Sequence, residues 1–205
     1  VIYGQSVAES LAKAEELSSV GKTFIHPFDD ADIITGQATV GLEIFDALAE
    51  QDLIVSPVGG GGLIAGVANA VKQLSPECEV IGVEPEGADT MRRSRAAGEP
   101  QSIERVATIA DSLGAPFALP YSFGLAEQSV DDLVIVDDEQ LRRTMGFLFR
   151  TMKIVVEPAC VASTAALLWP LRERLIGKRV ALVMCGSNID WDTFEEQAIF
   201  DDGVD

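Results

Sequence analysis

The sequence predicts an α/β fold, a mainly parallel open sheet with helices on both faces. Strand-like and helical segments alternate along the chain, the pattern of βα units packed in layers. One strand-like run ends at four consecutive glycines that lead into a helical segment, an arrangement typical of a strand–helix junction in such sheets. With 205 residues, 47% of them hydrophobic, the chain has enough apolar material for one good core.

The elements follow in order. "SVAESLAKAEELSS" (6–19) has helical spacing with Ser6 as its cap, and "KTFIHPF" (22–28) reads as a short strand. Residues 36–50, "GQATVGLEIFDALAE", read as a helix. "DLIVSPV" (52–58) is a strand ending at the glycines, and "LIAGVANAVKQL" (63–74) is a helix with small residues on one side. "CEVIGVEP" (78–85) is a strand, and "ADTMRRSRAAGE" is a polar helix that stops at Gly98. Residues 100–130 are less regular, with several Pro and Gly. "DDLVIVDD" (131–138) is a strand with acidic ends, followed by the amphipathic helix "EQLRRTMGFLFRTMK". "PACVASTAALLWPLRERLI" is helical, started by Pro158 and bent or divided at Pro170. "KRVALVMCGSN" is an apolar strand running into a turn. No internal repeat or long linker interrupts the pattern, so one domain is expected over residues 1–195, with an acidic tail over 196–205.

Charge narrows the function classes. The chain holds 33 acidic against 15 basic residues, a net charge of −18, so no basic excess is available to neutralise a nucleic acid. That acidity fits either a salty habitat or ordinary solubility charge. No apolar run reaches the roughly 18 residues of a membrane span. "VIYGQSVAES" lacks the basic start and apolar core of a signal peptide. Cys78, Cys160 and Cys185 are widely spaced and odd in number, which points to neither a metal site nor a disulfide framework but to a reducing cytoplasm. The sequence opens on "VIYGQS" without an initiator Met and is expected to be part of something longer.

The glycine run Gly59, Gly60, Gly61 and Gly62 allows three readings. Strand, glycines, then helix is the geometry of a phosphate cradle, with backbone N–H groups and the helix N-terminus facing an anion. A tight turn would need only one glycine. A dinucleotide site is the sharper competitor, since "GGGLIA" (60–65) satisfies G-x-G-x-x-A and Glu84 ends the next strand about 20 residues on, where a ribose-binding acid belongs. Against it, the loop does not follow the first strand, and the run is richer in glycine than that fingerprint needs. No G-K-S/T follows, which excludes a P-loop.

Six stretches then occur in order: "FIHPFDDADIITGQATVGLEIF" (24–45), "SPVGGGGLIAGVANAVK" (56–72), "IGVEPEGADTM" (81–91), "LPYSFGLAEQSVDDLVIVDDEQL" (119–141), "VVEPACVASTAAL" (155–167) and "LVMCGSNID" (182–190). Together they resemble the pyridoxal-phosphate enzymes of the tryptophan-synthase-β, or type II, fold, and most closely the branch of threonine/serine dehydratases and serine racemases. The resemblance covers roughly residues 1–195, matching the C-terminal part of the family and most of its larger domain.

The resemblance implies specific roles. The tetraglycine loop and the Leu63 backbone would hold the phosphate of pyridoxal 5'-phosphate. Cys185 in "CGSN" stands where the family usually has a Ser at the pyridine nitrogen; its thiol is a weaker hydrogen-bond partner and would leave that nitrogen largely unprotonated. As a residue alone, Cys185 also reads as a small buried strand end. Relatives with Mg or another divalent cation use the positions of Glu84 and the Ala88 carbonyl, but their third ligand position is Thr90 here, with Asp89 adjacent. Glu157 matches a family acid near the active site, and reads equally as a helix-start acid favoured by the dipole. His26, the sole histidine, falls in the family's "HP" motif and is expected to be structural.

The family also needs a Schiff-base lysine in an S-x-K-x-R-G type motif. Lys13, Lys22, Lys72, Lys153 and Lys178 all lack that context. No catalytic residue is therefore assigned in this chain, which is expected to be inactive alone and to work with an N-terminal segment or companion subunit, as a homo-oligomer. The activity implied is dehydration of threonine, serine or another 3-hydroxy amino acid to a 2-oxo acid and ammonia. The lack of a regulatory extension after "FEEQAIFDDGVD" is expected to favour a catabolic or racemase-like member. The alternatives are a serine racemase-like or 3-hydroxyaspartate dehydratase member, a non-catalytic or split-subunit piece, and, from another class, a nicotinamide-dependent oxidoreductase.

Overall fold

The computed structural model describes residues 2–4, 7–48 and 50–200. Among them, four strands form one parallel sheet, β1 (Leu53–Pro57), β2 (Glu79–Pro85), β3 (Asp132–Val136) and β4 (Val180–Leu182), in the order β3-β2-β1-β4. The register sets Val55 beside Ile81 on one side and Leu182 on the other, and Val83 beside Val134.

Side chains alternate across the sheet, and both faces are covered. Leu53, Val55, Ile81 and Val83 pack with α6 (Asp138–Met152) and α7 (Ala162–Leu168) through Leu141, Met145, Ala162 and Ala165. Ile54, Val58 and Val80 pack with α3 (Gly62–Leu74) and α5 (Pro120–Ser129) through Ile64, Val67, Val71 and Phe123. A second helix layer, α2 (Ala31–Ala47), lies against α3, with Gly41 and Gly66 allowing close backbone approach. The predicted layered α/β architecture is the observed one.

Local chemistry sets the helix ends. Asp30 accepts N–H bonds from Asp32 and Ile33, so α2 starts earlier than its apolar spacing suggests. Asp137 and Gln140 form a reciprocal capping box at the start of α6. Gly98, at φ 73°, ends α4 (Thr90–Ala97) as expected. α1 (Val7–Ser19) buries none of its residues, and its expected cap, Ser6, lies outside the described residues.

Three expectations need correction. Residues 22–28 form no strand: His26 Nδ1 accepts the N–H groups of Phe28 and Asp29, curling the chain into the Asp30 cap instead. The irregular middle contains α5, begun by Pro120 at its first turn, and a 3-10 turn at Asp111–Leu113. The 158–176 segment divides at Pro170 as expected, α7 stopping at Leu168, while its start at Pro158–Val161 is a 3-10 turn. The last strand is only β4, and residues 183–190 continue as extended chain and turn. Beyond residue 195, α8 (Trp191–Gln197) and the following residues stay packed: Phe194 is fully buried, Ala198 is buried, and the Ile199 N–H bonds Arg142 O. Among the described residues no helix is long and apolar enough to cross a membrane.

Candidate functional site

Strand order locates the crevice. From β1 the chain goes on to β2 and then β3, and later returns to place β4 on the other side of β1. Connections therefore leave β1 and β4 in opposite directions, which opens a crevice at their carboxyl ends. The glycine loop leaves the end of β1 there, and the Cys185 turn follows β4. Both line a cavity of about 470 Å³, a volume suited to a small molecule.

At one end of the cavity, α3 begins without any side-chain cap. Its first helical hydrogen bond runs from Ala65 N–H to Gly61 O, 2.9 Å. The N–H groups of Gly62, Leu63 and Ile64 therefore have no helical acceptor, and all three residues line the cavity. Such an end carries about half a positive charge and suits an anion.

The walls around this loop explain its composition. A Cβ on Gly60 would run into the Phe28 ring, and one on Gly62 would lie 2.7 Å from Phe28 O. At Gly59 it would stand 3.2 Å from Leu113 Cα and 3.3 Å from Ser112 O. Gly61 has φ 91°, a left-handed conformation that favours glycine, and faces Met91 Cε. The glycines thus answer to protein walls as well as to whatever the loop binds. His26 helps hold Phe28 in place, since it bonds the Phe28 N–H and its ring meets the Phe28 ring edge-on, 4.7 Å between centroids.

At the other end is a polar cluster. The Glu157 carboxylate accepts Ser112 Oγ–H at 2.8 Å through one oxygen and Asn188 N–H at 3.0 Å through the other. Its own N–H bonds Gly186 O at 3.3 Å. Cys185 lies at the start of this turn. Although Cys185 is exposed as a residue, the cavity wall desolvates its thiol, and with Glu157 nearby raises it above the ordinary thiol value. Burial pushes the neighbouring Cys160 thiol up to about 12, so neither is a thiolate at neutral pH. All three cysteines are free.

The remaining predicted residues lie elsewhere. Glu84 is fully buried and accepts N–H bonds from Met91 (2.7 Å) and Arg92 (2.8 Å), capping the start of α4. Burial pushes its carboxyl up to about 7 despite those bonds. Asp89 turns to Arg92 and Arg93, and Thr90 bonds Ala115 O, so Glu84 and Ala88 are not joined by a third ligand. Among the described residues no group of three His, Cys, Asp or Glu is placed to hold a metal ion. None of the five lysines lines the cavity. Phe28, Gln37 and Ser112 do line it, and sequence reasoning assigns them no role; "HPFDD" and "GQ" are visible as motifs, whereas Ser112 sits in the irregular middle with no local signal.

The family described as "Pyridoxal-phosphate dependent enzyme" matches residues 1–186. The chain belongs to this family. It is 46% identical over 191 residues to the phenylserine dehydratase of Ralstonia pickettii, covering 93% of this chain and 58% of that protein. To the L-threonine ammonia-lyase of Thermotoga maritima it is 40% identical over 170 residues, covering 83% and 42% respectively. The structure of the processed form of threonine deaminase isoform 2 from Solanum lycopersicum matches with a TM-score of 0.90 at 31% identity, over 96% of this chain and 58% of that one. Maize serine racemase matches at 0.88 and 30%, over 96% and 61%. As a member of the pyridoxal-phosphate-dependent family, the chain spans between 42% and 61% of the length of these four relatives.

Proposed function

We propose that the cavity holds pyridoxal phosphate and that this chain forms the phosphate and ring-nitrogen side of an ammonia-lyase. Its substrate class is the 3-hydroxy amino acids, threonine, serine or a related compound, converted to a 2-oxo acid with release of ammonia. The observation that carries the reading is the uncapped start of α3 within the glycine loop, across the cavity from the Cys185 turn. Similarity to dehydratases and ammonia-lyases supports the reaction class.

The residues fit the group. The N–H groups of Gly62, Leu63 and Ile64, with Gly59, Gly60 and Gly61 leaving the approach open, would hold a phosphate. A protonated Cys185 thiol at the ring nitrogen offers only a weak hydrogen bond and donates no full positive charge there. Bound pyridoxal phosphate supplies the electron sink for the bond cleavage at the substrate α-carbon. Phe28 packs against Gly60 and Gly62 and would wall one side of the bound group. Nothing in the coordination around Glu84 favours a cation, and none is proposed.

No lysine of this chain lines the cavity, which favours a division of labour in which the lysine and the substrate-carboxylate contacts come from a further segment or companion chain. Titrating the 205-residue chain with pyridoxal phosphate and with NADH tests the proposal. Binding of the former that is lost on Gly62→Ala supports it. Binding of NADH alone overturns it, and a borohydride-fixed adduct on one of the five lysines overturns the division of labour.

A further inference from the structure

The Asp111–Leu113 turn touches both ends of the cavity. Its backbone lies against Gly59, where the Ser112 carbonyl and Leu113 Cα leave no room for a side chain. Its Ser112 hydroxyl donates to Glu157 Oε1 at 2.8 Å. Glu157 is buried, and its carboxylate and backbone together hold the far turn: Oε2 accepts Asn188 N–H, and Glu157 N–H donates to Gly186 O. Gly186 has φ 117°, and a Cβ there would lie 2.5 Å from Glu157 Oε1, so the turn bends tightly around this carboxylate. Ser112 and Glu157 are 45 positions apart in sequence and meet only in the fold.

We infer that Ser112 is a positioning residue for the cofactor: acting through Glu157, it fixes the Cys185 turn relative to the glycine loop. This rests on the reading that the cavity takes pyridoxal phosphate. One short turn then spaces the phosphate end from the ring end, and Glu157, which also lines the cavity, transmits that spacing to Cys185. A hydroxyl suits the task because it compensates the Glu157 charge with one hydrogen bond and adds no charge of its own next to the thiol.

Cys185 reports on this arrangement directly, because it is exposed while Cys78 and Cys160 are buried. The test is the pH profile of Cys185 alkylation by iodoacetamide in the 205-residue chain, mapped by mass spectrometry. Glu157→Gln removes the charge that discourages the thiolate, and alkylation at a fixed pH is expected to speed up by roughly threefold or more. Ser112→Ala leaves that charge with the Asn188 N–H alone, and alkylation slows. Ser112→Thr keeps a hydroxyl and restores the native profile. Pyridoxal phosphate affinity is expected to fall about tenfold in Ser112→Ala, the size of effect for a lost bond to a buried charge, and to recover in Ser112→Thr. A native profile in Ser112→Ala overturns the inference, and so does a native profile in Glu157→Gln, which removes the link to Cys185 and serves where Ser112→Ala does not fold. Protection of native Cys185 by pyridoxal phosphate is the separate control. Its absence overturns the cofactor reading, and with it the role toward the ring, while the alkylation profiles still report the Ser112–Glu157 link.

Discussion

The ring of Phe28 fills the space that a side chain at Gly60 would need. The two residues belong to different motifs, yet they form one wall of the cavity.

That relationship predicts a rescue. Gly60→Ala is expected to lower stability by about 1–3 kcal/mol through overpacking and to weaken pyridoxal phosphate binding. Adding Phe28→Ala should relieve the clash and recover much of the binding. Gly62→Ala meets Phe28 backbone instead, so Phe28→Ala should not rescue it. Thermal melts and cofactor titrations of the two double variants, side by side, decide the point.

Cys185→Ser replaces a weak hydrogen-bonding thiol by a hydroxyl. Affinity for pyridoxal phosphate is expected to rise by about 2- to 10-fold, the worth of one ordinary hydrogen bond. Cys185→Ala should not share the gain. An equal rise in both variants would place the effect in cavity volume, not in hydrogen bonding.

Glu84 gives stability a pH dependence of defined sign. Unfolded, its carboxyl titrates near 4.5; folded, burial holds it up to about 7. Between those values the folded state keeps a proton that the unfolded state has lost. Stability therefore falls as pH rises from about 4.5 to about 7, by at most about 3 kcal/mol from this group. In Glu84→Gln that part of the slope should vanish, while the lost acceptor for Met91 or Arg92 lowers stability at acid pH. Urea melts across the window compare the two slopes, and parallel curves would contradict the assignment.

Phe194 sits at the centre of an aromatic group with Phe149, Trp191 and Phe200, ring centroids 5.7, 5.8 and 6.3 Å away. Phe194→Ala should cost about 3–5 kcal/mol. A loss of under about 1 kcal/mol in denaturant melts would mean that this end of the chain packs only loosely.

Much of the fold is legible in the amino-acid order. Strand and helix alternation, the glycine loop at the end of "DLIVSPV" and the Gly98 stop are written in local periodicity and turn chemistry, which depend on neighbours a few residues apart. The six ordered motifs likewise carry the family. Local patterns mislead where a distant or side-chain partner overrides local preference. "KTFIHPF" has strand composition, but His26 Nδ1 captures two backbone amides and turns it. Glu84, at a strand end like a ribose-binding or metal-binding acid, spends both oxygens on the start of α4.

The sequence by itself determined the layered α/β class, the glycine-rich junction between a strand and a helix, and the family. Each follows from residue types at short, fixed spacing. Only the tertiary structure decided that β4 lies beside β1, that the Cys185 turn therefore faces the glycines, that Phe28 and Leu113 wall them in, and that Ser112 bonds Glu157. Those are contacts between segments tens of residues apart, set by the burial of both sheet faces, and no local pattern encodes which segments such packing brings together.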